Sequence, residues 1–370
     1  MSFTIPNQAG AAYARQAGWY QADIDSLVAA LAGDGVLSGL TCTAQASPDM
    51  TVAVAAGQAR VQGYFPYFAA QNATISAASG SNPRIDLISV DYNGTVTVTA
   101  GTAAAAPVCP ALPANNIPLA QVYVQTSASS IGSNAITDKR VAVPDTFDIA
   151  DEFMGGSVSA TVGTGSGSYG NAAWCFTAGG TLAAPAFQTS TAAHPGVLRT
   201  ATGATSGNAT RMSYGSASTS AVVSPTNIAR MRFLIAIPTI TTLAIKVGLG
   251  QDTSDATAAS FGTAGAWVEF VPATSAKWRY NTRQGGTSTT NADTGADVAA
   301  GNWYQFDIVR LQNGNWQFAK NGALAFTHSA NQPTTICNLG TLTHTLTTAA
   351  RNLDHDFIGI NFAPLGNRWT

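Results

Sequence analysis

The chain has 370 residues, 45% of them hydrophobic and only 10% charged, with a formal net charge of −2. Charged residues usually make up about a quarter of a soluble domain; here Ala, Gly, Ser and Thr fill the difference, which suits an extracellular or assembled structure better than a metabolic enzyme. No basic run occurs, which argues against nucleic-acid binding by phosphate neutralisation.

Residues 1–20 are polar, small and aperiodic, with Tyr13, Trp19 and Tyr20 as their large side chains. They read as an extended arm whose aromatics need a neighbouring surface. The N-terminus lacks the basic-then-apolar layout of a signal peptide, and no apolar run approaches the roughly 20 residues that span a bilayer. Synthesis in a cytoplasm without export by such a signal is expected. Next, Ile24, Leu27, Val28 and Leu31 recur at helical spacing between Asp23, a fitting N-cap, and Gly33, a fitting terminator. A short amphipathic helix is predicted there, and its single apolar stripe calls for a partner.

From residue 36 to 145 the signals are β. "GLTCTAQ", "MTVAVAAGQARVQGY" and "NATISAA" alternate or are bounded by Gly, Asn and Pro. "RIDLISVDYNGTVTVTAG" predicts a hairpin, with Asn93-Gly94 as a two-residue turn that sets Val90 opposite Thr97 and Ile88 opposite Thr99. Pro107, Pro110, Pro113 and Pro118 then favour an extended crossing without ladder donors. "IPLAQVYVQT" follows, and "DKRVAVPDTFD" reads as an exit strand and linker. The predicted organisation is an arm (1–20), a helix-plus-β domain (21–145) and a second β domain (150–370).

The second domain carries short strands with turn signals between them, among them "RMRFLIAIP", "TLAIKVGLG", "AWVEFVP", "KWRYNTR", "NWYQFDIVRL" and "DFIGINFA". Asn313-Gly314 and Asn321-Gly322 mark tight turns, and no helical period intervenes. The prediction is all-β, with a C-terminal two-sheet jelly-roll sandwich.

The order arm, helix, "GDGVLSGL", strands, "NPRIDLISV", proline crossing, "IPLAQVYV", "ITDKRVAV" resembles the N-terminal module of many tail-fibre, baseplate and head-fibre proteins of tailed bacteriophages. "DEFMGG", "WCF", "HPGV" and "TATGATSGNA" are similar to marks of concanavalin A-like, laminin G-like sandwich modules found in the same proteins. The resemblance implies a virion location, an N-terminal attachment module bound to other virion proteins, and an outward-facing sandwich that decorates the particle or binds host-surface carbohydrate. It also implies a symmetric homo-oligomer, with a trimer favoured over a dimer.

Sandwiches of this kind include glycosidases. Retaining hydrolysis needs two carboxyl groups about 5–5.5 Å apart. The two glutamates, Glu152 and Glu269, do not share a strand pattern. Asp252/Asp255 and Asp293/Asp297 lie in Gly-, Ser- and Thr-rich loops, where aspartates commonly bond nearby backbone amides. No catalytic residue is assigned and a non-enzyme is expected; the rivals are a polysaccharide depolymerase and a ligand-free capsid or tail cement. "GSGSYG" matches a dinucleotide fingerprint only in its glycines, because no helix follows. The four histidines and four cysteines have no metal-ligand spacing; scattered buried thiols are expected, and no disulfide pairing can be assigned. No cofactor is assigned, although the resemblance leaves room for Ca2+ on a rim loop, where Asp354 and Asp356, read as preceding the last strand, are candidate ligands. His194, in "HPGV", is expected to make a structural hydrogen bond.

For glycan binding the candidates lie in "KWRYNTR". Trp278 and Tyr280 share one face of a strand, with Arg279, Asn281 and Arg283 on the other. An exposed aromatic pair stacks on a sugar ring while Arg and Asn bond its hydroxyls. The commoner fate of such a pair is the core, which leaves Arg279 and Arg283 as the candidate surface.

Overall fold

The computed structural model describes residues 33–151, 153, 174–179, 183–189, 191–214, 223–250, 262–335, 337–345 and 348–363. The arm, the amphipathic helix, Glu152, "GSGSYG" and the Asp252/Asp255 loop lie outside the described residues. The chain divides into two compact units, Met1–Asp145 and Thr146–Thr370. The described residues form β-strands with two short 3-10 turns, and among them no helix is long and apolar enough to cross a membrane.

The first unit contains β1 (Gly35–Gly39), β2 (Cys42–Ala44), β3 (Thr51–Val54), β4 (Gly57–Arg60), β5 (Tyr67–Phe68), β6 (Gln71–Thr74), β7 (Arg84–Asp91), β8 (Val96–Thr99), β9 (Asn116–Val124) and β10 (Ile136–Asp138). They form three antiparallel sheets, β1-β4-β5, β2-β3-β6 and β10-β9-β7-β8, around one core that includes Val52, Val54, Phe68, Ile88, Val90, Leu119 and Val122.

The β7–β8 hairpin forms, but not in the predicted register. Val90 faces Val96 and Ile88 faces Val98, one residue from the pairing that Asn93-Gly94 suggests. Asp91 explains the shift. Its carboxylate accepts the N–H groups of Asn93 (2.9 Å) and Thr95 (2.8 Å), which closes a three-residue loop with Gly94 left-handed at φ +83°. A one-residue slip exchanges the two faces of a strand, so the observed register sets Val96 and Val98 against the core beside Ile88 and Val90. Apolar matching overrides the dipeptide signal.

The second unit contains β11 (Ile149–Asp151), β12 (Trp174–Gly179), β13 (Ala183–Phe187), β14 (Leu198–Ala201), β15 (Ala209–Tyr214), β16 (Ile228–Ala236), β17 (Leu243–Gly250), β18 (Gly265–Phe270), β19 (Arg279–Gln284), β20 (Thr287–Ala292), β21 (Trp303–Arg310), β22 (Trp316–Lys320), β23 (Ala323–His328), β24 (Asn338–Thr345) and β25 (Asn352–Phe362). One sheet runs β13-β14-β25-β16-β21-β22-β23, with β11 also on β25; the other runs β12-β15-β24-β17-β18-β19-β20. Alternate residues of both sheets meet in one core: Phe233, Ile308, Phe318 and Ile358 from the first, Val247, Val268, Trp278 and Tyr280 from the second. This is a two-sheet antiparallel sandwich.

The segment entering the sandwich is pinned at Phe147. Its ring lies 4.2 Å from the Arg230 guanidinium and 5.2 Å from that of Arg232, and edge-on to Phe357 at 5.1 Å. Gly359 makes room for it, since a Cβ there would sit 2.5 Å from the Phe147 ring.

Candidate functional site

The outward face of the seven-stranded sheet follows from its register. Because Ile245, Val247, Val268, Phe270, Trp278 and Tyr280 face the core, the intervening residues face out. Lys246 pairs with Glu269, and Glu269 with Arg279. Arg211 aligns with Lys246 through their common partner Leu342. One transverse row therefore includes Arg211, Lys246, Glu269 and Arg279. Two residues along, Trp267 pairs with Asn281 and Asn281 with Thr290; Arg283 follows on the same strand face.

Glu269 is the centre of this surface. Arg279 Nη2 donates to its Oε1, Trp267 Nε1 donates to its Oε2 at 3.2 Å, and Lys246 Nζ lies 3.8 Å from that oxygen. The Lys246 ammonium sits 5.6 Å from the Trp267 ring centroid, a cation–π distance. Asn281 accepts from the Thr290 hydroxyl at 2.6 Å. Arg283 Nε donates to the Gly286 carbonyl at 3.1 Å and stays at the solvent edge. Lys246 and Glu269 are each 6% exposed, and burial pushes the Lys246 amine down to about 8, with Glu269 opposing the fall and Arg283 and Arg279 adding to it. Arg279 Nε is buried without an acceptor.

Trp278 and Tyr280 are not part of this surface. Both are fully buried, Trp278 against Phe306 (4.6 Å) and Tyr280 against Phe318 (5.6 Å). Their assignment to glycan contact is corrected, because a ring enclosed by core side chains has no face left for a sugar. Arg279 and Arg283 do lie on the outward side.

Asp354 and Asp356 lie on the other sheet, inside β25 and not before it, which corrects the strand boundary. Each carboxylate has a protein partner. Arg199 Nε and Nη2 donate to Asp354 at 2.6 and 2.7 Å, and His194 Nδ1 lies 2.8 Å from Asp356 Oδ2. His194 is also stacked on Trp303 at 4.1 Å, the structural role its motif suggests. Calcium takes six to eight oxygens, whereas these neighbours are cationic or imidazole groups; among the described residues no cluster of three or more metal-ligating side chains forms. The fit to Ca2+ at Asp354 and Asp356 is poor. Asp293 accepts from the Gly295 N–H (3.2 Å) and pairs with Lys320, while Asp297 lies 3.1 Å from Lys277. Cys42, Cys109 and Cys337 are free thiols, Cys337 buried as expected and the other two only half-buried, with burial pushing Cys42, Cys109 and Cys337 up to about 12, 11 and 12.

Sequence reasoning missed Lys246 and Glu269 as site residues. The signal was present: a single charge at an outward position of "LAIKVGLG" and of "AWVEFVP", two strands otherwise built of apolar and small residues.

No family model and no curated protein matches the chain. Among solved structures, a protein of unknown function from Shewanella oneidensis MR-1 is 13% identical with a TM-score of 0.41, covering 61% of this chain and 91% of its own. A Bacillus licheniformis beta-glucanase is 11% identical with a TM-score of 0.36, covering 58% and 97%. The Emp46p carbohydrate recognition domain, in its metal-free form, is 7% identical with a TM-score of 0.35, covering 50% and 87%. At these identities and scores nothing about activity follows.

Proposed function

We propose that the chain is a non-catalytic structural component of a tailed-phage virion, whose N-terminal unit attaches to the particle and whose sandwich binds host-surface glycan. The virion part rests on the sequence resemblance. The binding part rests on one observation, the outward row Lys246–Glu269–Arg279 with Trp267, Asn281 and Arg283 beside it. Arg279, its side chain 22% exposed, and Arg283 at the solvent edge offer donors for sugar hydroxyls, with Trp267 and Asn281 buried beside them at 3% and 2% exposed. Glu269 serves there as an ion-pair and hydrogen-bond acceptor. Both of its oxygens are engaged, and among the described residues no second carboxylate stands in the row, whereas a retaining glycosidase uses two.

The test is the purified chain against surface polysaccharide from a panel of bacterial hosts, measured by retention on the immobilised glycan and by reducing-end release. Retention that Arg279→Gln abolishes without altering the fold, with no reducing ends formed, is expected. Steady oligosaccharide release would make the protein a depolymerase, and no retention on any host glycan would leave a ligand-free cement.

A further inference from the structure

We infer that the ligand of this surface is anionic: the row selects saccharides carrying a carboxylate or sulfate group, held by Arg279, Arg283 and Lys246. This rests on the glycan-binding reading and specifies its substrate class.

The argument is one of charge balance in a confined place. Three cationic side chains, Lys246, Arg279 and Arg283, share the outward face of three adjacent strands with one carboxylate, Glu269. Glu269 takes its Oε1 bond from Arg279 and its Oε2 bond from Trp267, with Lys246 at 3.8 Å. Each of its oxygens thus carries one hydrogen bond, and Arg283 has a neutral carbonyl, that of Gly286, for its Nε. Buried cations are costly unless paired, and among the described residues of these three strand faces Glu269 is the one carboxylate beside Lys246, Arg279 and the solvent-edge Arg283.

Two further observations point the same way. Arg279 turns Nη2 to Glu269 but leaves Nε buried with no acceptor, and a buried guanidinium N–H without a partner is uncommon. The Lys246 amine is held below the normal lysine range, mainly by burial, and the two arginines lower it further. An anion at the exposed side of Arg279 and at Arg283 would offset the positive charge that lowers Lys246. Arg279, with its side chain 22% exposed, and the solvent-edge Arg283 are the points of entry. Arginine's planar fork matches a carboxylate or sulfate in two parallel hydrogen bonds.

The experiment uses the full chain and four defined probes in equilibrium binding: polygalacturonate oligosaccharides, the same oligosaccharides fully methyl-esterified, chondroitin sulfate and desulfated chondroitin. Tighter binding of polygalacturonate than of its ester, by tenfold or more and weakening with added salt, is expected if a carboxylate is read. Preference for chondroitin sulfate over its desulfated form assigns a sulfate instead. Arg283→Gln, at the solvent edge and therefore safe for folding, is expected to lower acidic-probe affinity about tenfold and ester affinity by less, so that the preference for the acid narrows. Equal affinity for charged and neutral probes would overturn the inference while leaving glycan binding intact. Binding of none of the four, together with retention on a neutral host glycan, would also overturn it. Failure on every glycan would overturn the binding reading itself.

Discussion

His355 makes the sandwich sensitive to acid, by an amount that follows from its surroundings. It lies in β25 between Asp354 and Asp356 but faces the opposite way, fully buried, with Nε2 3.1 Å from the Thr200 hydroxyl and Nδ1 without a partner. Burial pushes its imidazole down to about 3 from an ordinary 6.5. Between those values the unfolded chain binds a proton that the folded chain does not. Stability contributed by the neutral ring is therefore complete above pH 6.5 and falls as the pH drops towards 3. For these two values the loss between pH 7 and pH 4 is roughly 3 kcal/mol, using about 1.4 kcal/mol per unit of pKa difference. That is a large fraction of the 5–15 kcal/mol by which a domain is typically stable.

The assay is urea denaturation of wild type and His355→Phe at several pH values. Phenylalanine removes the titration, and the Thr200 hydroxyl keeps the Leu353 carbonyl as an acceptor at 3.3 Å. Between pH 7 and pH 4 the variant is expected to lose about 3 kcal/mol less than wild type. Parallel pH profiles for the two proteins would refute the reasoning.

Trp278→Ala should cost about 3–5 kcal/mol, seen as a lower denaturation midpoint, because the ring is core and not ligand surface. Gly359→Ala should displace the Phe147 ring and destabilise the second unit by about 1–3 kcal/mol, with Phe147→Ala abolishing most of the difference between Gly and Ala at 359. Chelation with EDTA should leave the melting temperature unchanged, whereas Arg199→Ala should lower it by stranding Asp354. Residues 146–370 expressed alone should unfold cooperatively in urea; a molten fragment beside a stable full chain would count against two independent units. Light scattering of the full chain should report a homotrimer, and a monomer at micromolar concentration would contradict the assembly that the resemblance implies.

Much of the fold was legible because sheet structure leaves a period of two in the sequence. The alternation in "KWRYNTR" correctly separated Trp278 and Tyr280 from Arg279 and Arg283, but not which set faced out, since both sets suit a pleated surface. That choice depends on the opposite sheet, whose Phe306 and Phe318 enclose the two rings. Glu269 was invisible as a site residue for a related reason: its partners Lys246 and Arg279 come from the strands on either side of it, and strand order is not written locally. The β7–β8 register shows the reverse error. The Asn-Gly dipeptide is a strong local signal, yet the Asp91 carboxylate and the valines of β8 outweighed it. Asp354 and Asp356 looked like a cation pair because they are two residues apart on one face, while Arg199 and His194, their actual partners, are more than 150 residues away in sequence.

Trp267 gives the most direct test of the binding surface. It lies beside Lys246 and Glu269 on the side of its sheet away from the sandwich core, buried at 3% exposure but within reach of changes at Arg279 and Lys246, while Trp278 and Trp316 are part of the core. Host-surface polysaccharide titrated into the full chain should change the intrinsic fluorescence saturably. The account predicts that Trp267→Phe removes that change while Trp316→Phe retains it. A saturable signal that survives loss of Trp267 and Arg283 together would place the ligand elsewhere and contradict the account.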